Sequence, residues 1–341
     1  MGKYLNYLLV AIPVSLYFRF SGYELGLFFA ACVSIIPLAG LMGEATETLA
    51  CYVGERAGGF LNASFGNATE LLITIFALRA GLSDVVKASI AGSILGNILL
   101  VLGLSILVGG IKNGEQRFDR VHISNQTSLM FLAIIAIIIP AVFFQGEQQH
   151  HALEGFSLAV ASIMLILYFS GLLFSMRRGS KEICDVQETH WTRAQAMIVL
   201  GFSTALIALE SEFLVSGIEH VTEVLGWSEF FIGIIIIPII GNAAEHFTAV
   251  TVALKDKMDL SFEIAIGSST QIAMLITPIL VFLSFLFGNP MTMMFNYYEI
   301  AVVALAVLIA QFISLDGESN WMEGSLLVAA YFIMAIAFFY L

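Results

Sequence analysis

Charge is scarce in this chain. Only 12% of its 341 residues are Asp, Glu, Lys or Arg, against about 25% in a typical soluble domain. Cysteine is scarcer still: Cys32, Cys51 and Cys184 are odd in number and far apart. That spacing argues against a disulfide framework or a thiolate metal motif and reads all three as bystanders. No His-Glu-x-x-His occurs, and His150 and His151 fall in a loop near Glu147 and Glu154, so an intramembrane metalloprotease has little support. A nucleic-acid partner is not expected, and no cofactor motif is present.

Apolar residues are abundant. They make up 59% of the chain, with a mean hydropathy of +0.93, and they recur in runs along the whole length. One soluble core cannot absorb that surface, so it must face a lipid bilayer, the partner of such a chain. Crossing the bilayer as a helix takes about 20 apolar residues, and a spanning backbone must satisfy its own hydrogen bonds. This predicts an all-α polytopic membrane protein with eleven transmembrane helices, near residues 4–20, 25–53, 61–80, 84–110, 125–144, 152–176, 194–224, 230–254, 260–287, 296–315 and 322–341. The first of these reads as a retained span, because Arg19 and Phe20 stand where a signal peptide would carry small residues.

Basic residues set the orientation. With a cytoplasmic N-terminus, 11 of the 14 Lys and Arg fall in inside segments, and Arg19, Arg79 and Lys87 alone fall outside. The positive-inside rule therefore predicts an inside N-terminus and an outside C-terminus, in what would be the cell membrane of a prokaryote.

An internal repeat organises the spans. A shift of 175 residues superposes Gly66, Asn67, Ala68 and Glu70 on Gly241, Asn242, Ala243 and Glu245. The same shift superposes Asp84 on Asp259, Gly92 on Gly267 and Ser93 on Ser268, so the register holds without a gap over 28 residues. The two motifs lie in the third and eighth spans. An odd offset of spans makes the motif helices cross in opposite directions, as in inverted-repeat carriers with a midplane site. The predicted division is a leading helix over residues 1–22, an N-terminal five-helix repeat over 23–176, a cytoplasmic linker over 177–193 and a C-terminal five-helix repeat over 194–341. Homo-oligomerisation is left open.

A carboxylate in hydrocarbon costs at least about 2.5 kcal/mol, so an intramembrane acid faces a bundle interior or a cavity and marks function by default. One such Glu could reach the interface from a helix end; two related by the repeat point to a site. Asn67, Glu70 and Thr74 share a helix face, as do Asn242, Glu245 and Thr248, with His246 beside the second acid. Gly66 and Gly241 allow close helix approach or local unwinding. Pro238 leaves a carbonyl of its preceding turn without an N–H partner. Two carboxylates, two amides and nearby carbonyls form an all-oxygen set that suits a hard divalent cation such as Ca²⁺. Emptied of the ion, two buried carboxylates repel each other and lack solvation, so they would take up protons. The partner spans add Ser93 and Asn97, and Ser268 and Gln271. Glu212, Glu44 and Glu47 stand open between gating or proton relay and ordinary ion pairing.

These residues resemble the cation/proton exchanger family of the Ca²⁺/cation antiporter superfamily, through GNATELLITIFAL, GSILGN, GWSEFFIG, GNAAEH, GSSTQIAM and DGESNW, from about Met42 onward. The resemblance implies one leading helix, two inverted five-helix halves, and Ca²⁺ moved against protons with no cofactor. It assigns Ca²⁺ binding to Glu70 and Glu245, site lining to Asn67, Asn242, Ser93, Asn97, Ser268 and Gln271, and the histidine of the second motif to His246. Glu212 resembles the family's acid over the site. One departure concerns the linker: here it holds only Glu182, Asp185 and Glu188 among basic residues, so a Ca²⁺-sensing linker is not expected. The residues alone reach a divalent-cation exchanger; Na⁺-coupled Ca²⁺ exchange, Mn²⁺ transport and a channel are the rival readings.

Overall fold

The computed structural model describes residues 5–54, 58, 61, 62, 64–144, 150–178 and 191–341, and helix dominates throughout. In chain order the helices are α1 (Tyr7–Ser21), α2 (Glu24–Val53), α3 (Ala68–Arg79), α4 (Ser83–Asn113), α5 (Arg120–Phe143), α6 (His150–Arg178) and α7 (Arg193–Leu225). They continue as α8 (Glu229–Gly241), α9 (Ala243–Leu254), α10 (Met258–Leu286), α11 (Tyr297–Ile313) and α12 (Trp321–Phe339). Among the described residues, seven helices are long and apolar enough to cross a bilayer, or eight when α8 and α9 count as one span bent by 58°. The seven coincide with the predicted second, fourth, fifth, sixth, seventh, ninth and eleventh spans, and the bent pair with the eighth. Most of the predicted linker, residues 179–190 with its three acids, lies outside the described residues.

Polar residues fix where the helices begin. Thr192 with Gln195, Asn296 with Glu299, and Asn320 with Glu323 form reciprocal caps at the starts of α7, α11 and α12, each satisfying backbone N–H groups that would otherwise lack partners. The ends of the bundle are tied by contacts between loops of one side. Gln116–Arg117 (β1) pairs antiparallel with Glu318–Ser319 (β2), and Lys112, Asn113 and Gln116 donate to the carbonyls of Ala253 and Leu254. At the other end, Met293 N–H donates to Ser157 Oγ at 3.0 Å, and His220 lies 3.8 Å from Glu24. Each pairing joins segments that the predicted topology puts on the same side of the bilayer.

Proline and glycine shape the inner helices. Ile232–Ile236 in α8 and Ile272–Ile276 in α10 are π-helical, and each segment ends two residues before a proline, Pro238 or Pro278. Proline has no N–H and its ring crowds the carbonyl four residues back, so the bonding shifts by one residue. In α10 the Thr277 hydroxyl donates to the Ile272 carbonyl at 2.8 Å, alongside the Thr277 backbone N–H. A third π segment, Gly96–Val101, interrupts α4. Against the Pro238 turn packs Gly92 of α4: a Cβ there would stand 2.0 Å from the Ile234 carbonyl oxygen, so only glycine lets the two backbones meet. That is the carbonyl expected to lose its partner.

One cysteine departs from the expected free thiols. Cys32 is buried and free, but Cys51, near the end of α2, is disulfide-bonded. A disulfide depends on folded proximity rather than on sequence spacing, so the spacing gave no sign of it.

Candidate ion-exchange site

Both repeated motifs fall at breaks between helical segments. α3 and α9 span 12 residues each, and every bound of α9 lies 175 residues beyond its counterpart in α3. The starts of α4 and α10 keep the same offset. Asn67 (φ −106°, ψ 26°) and Asn242 (φ −93°, ψ 9°) leave helical geometry and cap α3 and α9 with no side-chain cap bond. Their carbonyls still accept from Leu71 and His246, so each helix restarts at once. Their side chains are thereby released to the bundle interior.

Glu70 and Glu245 occupy the first turns of α3 and α9, where unpaired N–H groups and the helix dipole favour a negative charge. Glu70 is 3% exposed and its Oε1 has no hydrogen-bond partner among the described residues. It lies across the second motif: a Cβ on Gly241 would come within 3.0 Å of that Oε1. Gly241 has an ordinary negative φ, so its glycine serves the contact rather than the backbone dihedral. Gly66 similarly packs near the second half of the chain, its position facing Gln271 Oε1. Glu245 is only half-buried, and it interacts electrostatically with Glu70.

The partner helices knit the two motifs crosswise. Asn67 Nδ2 donates to Gln271 Oε1 at 2.6 Å, and Ser268 Oγ lies 2.8 Å from Asn67 Oδ1. In the matching place, Asn242 Nδ2 donates to Ser93 Oγ at 3.1 Å and to the Pro238 carbonyl at 2.9 Å. Ser268 is the hub: it also accepts from Asn97 Nδ2 at 3.1 Å and lies 2.7 Å from Glu245 Oε2. Thus Glu70, Glu245, Asn67, Asn242, Gly66, Gly241, Ser93, Asn97, Ser268 and Gln271 converge. Buried Asn242 Oδ1 is, like Glu70 Oε1, without a partner. His246 is adjacent in sequence, with its Nε2 buried and unpartnered.

Glu212 is not part of this cluster. It is exposed on α7 and lines a separate cavity of about 590 Å³ with Phe76, Arg79, Glu219 and Glu229. The acid on α7 that does point inward is Glu210, which is fully buried. Helical geometry turns residues two apart to nearly opposite sides, but α7 is apolar all round and gives no stripe by which to choose between them.

Among the described residues no three His, Cys, Asp or Glu side chains gather closely enough to hold a metal ion. The carboxylates number two, and any further cation ligands here are neutral oxygens.

The chain as a whole is similar to known proteins. The pattern of the family described as sodium/calcium exchanger protein matches residues 23–177 and 195–340. A Ca²⁺/H⁺ antiporter of Aphanothece halophytica is 45% identical, over 98% of this chain and 95% of that protein. The Ca²⁺/H⁺ antiporter ChaA of Bacillus subtilis is 46% identical over 92% of each. Among solved structures, native YfkE superposes with a TM-score of 0.88 at 44% identity, covering 99% of this chain and 100% of that one.

Proposed function

The chain belongs to the sodium/calcium exchanger protein family, and from that premise we propose that it exchanges Ca²⁺ for protons, with Glu70 and Glu245 as the acids both ions share. It is an integral membrane transporter. The observation that carries the site assignment is the pair of buried acceptor oxygens without partners, Glu70 Oε1 and Asn242 Oδ1, on residues that meet at Gly241. Buried polar atoms are rarely left unpaired, and such exceptions call for an ion or water. Ca²⁺ accepts an irregular shell of oxygens, and two carboxylates match its charge.

Counting hydrogens at Ser268 supports the proton half of the cycle. Its one hydroxyl hydrogen faces two acceptors, Asn67 Oδ1 and Glu245 Oε2. A proton on Glu245 resolves the conflict: Glu245 donates to Ser268, which donates to Asn67, whose amide donates to Gln271. The chain of bonds then runs from the acid of the second motif to the amide of the first. When Ca²⁺ replaces that proton, the Ser268 hydroxyl is free to turn to the ionised Glu245. Occupancy by Ca²⁺ or by protons, and not by neither, gives obligatory exchange.

The arrangement this reading requires is eleven spans: a leading helix in residues 1–22, and inverted five-helix halves in 23–176 and 194–341 joined by the linker 177–193. The shared 175-residue offset of helix bounds and the same-side loop contacts support it. So does the paired bonding of Asn67 with Ser268 and Asn242 with Ser93. The N-terminus is inside and the C-terminus outside on the count of basic residues. Glu245 is more open than Glu70, and residues 243–248 grade from half-buried to exposed while residues 67–70 are buried. This fits a site reached from the end of the bundle that carries α9, the cytoplasmic end in this topology.

Ser268→Ala removes a hydroxyl but no charge, leaving Asn67 Oδ1 and Asn97 Nδ2 short of a partner. At about 1–3 kcal/mol for an unsatisfied buried group, initial Ca²⁺ flux should fall about tenfold with the ion choice unchanged. Wild-type flux would remove Ser268 from the site. Sodium coupling is separated from proton coupling by measuring Ca²⁺ flux under a Na⁺ gradient with the pH clamped. No flux is expected, and Na⁺-driven flux would refute the proton reading.

A further inference from the structure

One buried acid takes no part in the exchange site. Glu210 of α7 is 0% exposed, and so is Ser15 of α1, whose Oγ lies 2.7 Å from Glu210 Oε1. The same Oγ lies 2.8 Å from the Ile12 carbonyl in its own helix. Glu210 Oε2 is buried with no partner among the described residues. One turn away on each helix, Ile207 of α7 and Ile12 of α1 belong to an apolar cluster with Leu9 of α1 and Leu38 and Met42 of α2.

One assignment of hydrogens satisfies both short contacts at Ser15. Ser15 has a single hydroxyl hydrogen, and the Ile12 carbonyl can only accept. Were Glu210 ionised, that hydrogen would face two acceptors, and a charged Oε2 would sit among apolar side chains with no partner among the described residues, which is unfavourable for a charge. As a carboxylic acid, Glu210 donates to Ser15, and Ser15 donates to Ile12. The titratable groups on the helices packed against α7 are Tyr7, Tyr17 and Arg19 of α1, Glu24, Cys32, Glu44, Glu47 and Tyr52 of α2, and Glu70 and Arg79 of α3. No hydrogen bond or ion pair joins any of them to Glu210 among the described residues.

We propose that Glu210 is a positioning residue that stays a neutral carboxylic acid throughout transport: its O–H bond to Ser15 fastens the leading helix to α7, and it carries none of the exchanged protons. An acid two residues from exposed Glu212, in a proton-coupled transporter, would otherwise be the natural choice for a proton carrier. Among the described residues no cation or second polar partner stands at its Oε2, which argues against that role, because an ionised form would have no stabilising contact there.

Infrared spectroscopy of the Ca²⁺-saturated protein at neutral pH tests this directly, since the exchange-site acids are then ionised. Wild type minus Glu210→Gln should show the carbonyl stretch of one protonated carboxylic acid; a carboxylate band in its place would overturn the proposal. Glu210→Gln keeps an N–H donor to Ser15, so Ca²⁺ flux should stay within about twofold of wild type with an unshifted pH profile. Lost flux, or a pH profile displaced by about one unit, would show that Glu210 exchanges protons. Ser15→Ala removes the acceptor and should lower the thermal midpoint by about 2–4 °C; an unchanged midpoint would show that the bond fastens nothing. These outcomes are independent of whether Glu70 and Glu245 hold the transported ion.

Discussion

Glu70→Gln and Glu245→Gln are each expected to abolish Ca²⁺/H⁺ exchange while leaving a folded, monodisperse protein. Glutamine has nearly the shape of a protonated glutamate, so either variant resembles the proton-loaded state and should be tolerated by the surrounding amides. What it cannot do is ionise. With one carboxylate gone, a divalent ion enters the bundle with half its charge unbalanced. Removing one partner of a buried charged set costs about 3–5 kcal/mol, a loss of more than about a hundredfold in Ca²⁺ affinity. The substituted position can also no longer release a proton, so any residual Ca²⁺ movement should lose its coupling to the pH gradient. The two variants differ in one respect. Glu70 Oε1 lies against Gly241 without a partner, whereas Glu245 Oε2 is tied to Ser268. The new amide at residue 245 can still donate to Ser268, so Glu245→Gln should be the more stable of the pair. Near-normal exchange by either variant would refute the site.

The second large effect falls on folding. Gly92→Ala should lower the thermal midpoint sharply and reduce the yield of folded protein, because its methyl group would stand 2.0 Å from the Ile234 carbonyl oxygen and 2.7 Å from the Pro238 ring. Neither neighbour can turn aside: one is backbone, and the other is held by a ring. The helices must separate, at about 1–3 kcal/mol or more for overpacking, and the loosened Pro238 turn loses the Cα–H contact available to its carbonyl. Gly267 holds the equivalent place 175 residues on, but a Cβ there meets only the end of the Gln126 side chain, at 3.4 Å. Gly267→Ala should therefore be nearly neutral. Unfolding curves of the two variants in detergent decide it, and equal stability would contradict the packing described for α4 and α8.

The contrast between those glycines shows what the sequence could and could not reveal. Both occupy the same register of the repeat, so a reading of residue types treats them alike. Which one touches backbone depends on helix crossing, and no spacing rule reports that. The acids and amides were legible because polar groups are conspicuous in apolar runs, and because the repeat marked Glu70 and Glu245 together. The crosswise bonds of Ser268 and Ser93 followed the same register. Burial was harder to read. In a membrane bundle the lipid-facing and core-facing sides are equally apolar, so Glu210 and Glu212 look alike in sequence, although one is sealed inside and the other lines an open cavity. The π segments were hidden for another reason. Pro238 and Pro278 announce a disturbed turn, but Gly96–Val101 carries no proline to mark it.

The central claim is that one pair of carboxylates, Glu70 and Glu245, alternately holds Ca²⁺ and protons. Its most direct test is isotopic Ca²⁺ uptake into proteoliposomes with an outward proton gradient and no Na⁺. The wild-type protein should take up Ca²⁺ in proportion to the gradient and stop when the gradient is collapsed, with no uptake by Glu70→Gln or Glu245→Gln. Uptake that persists without the pH gradient, or that survives in either variant, would contradict it.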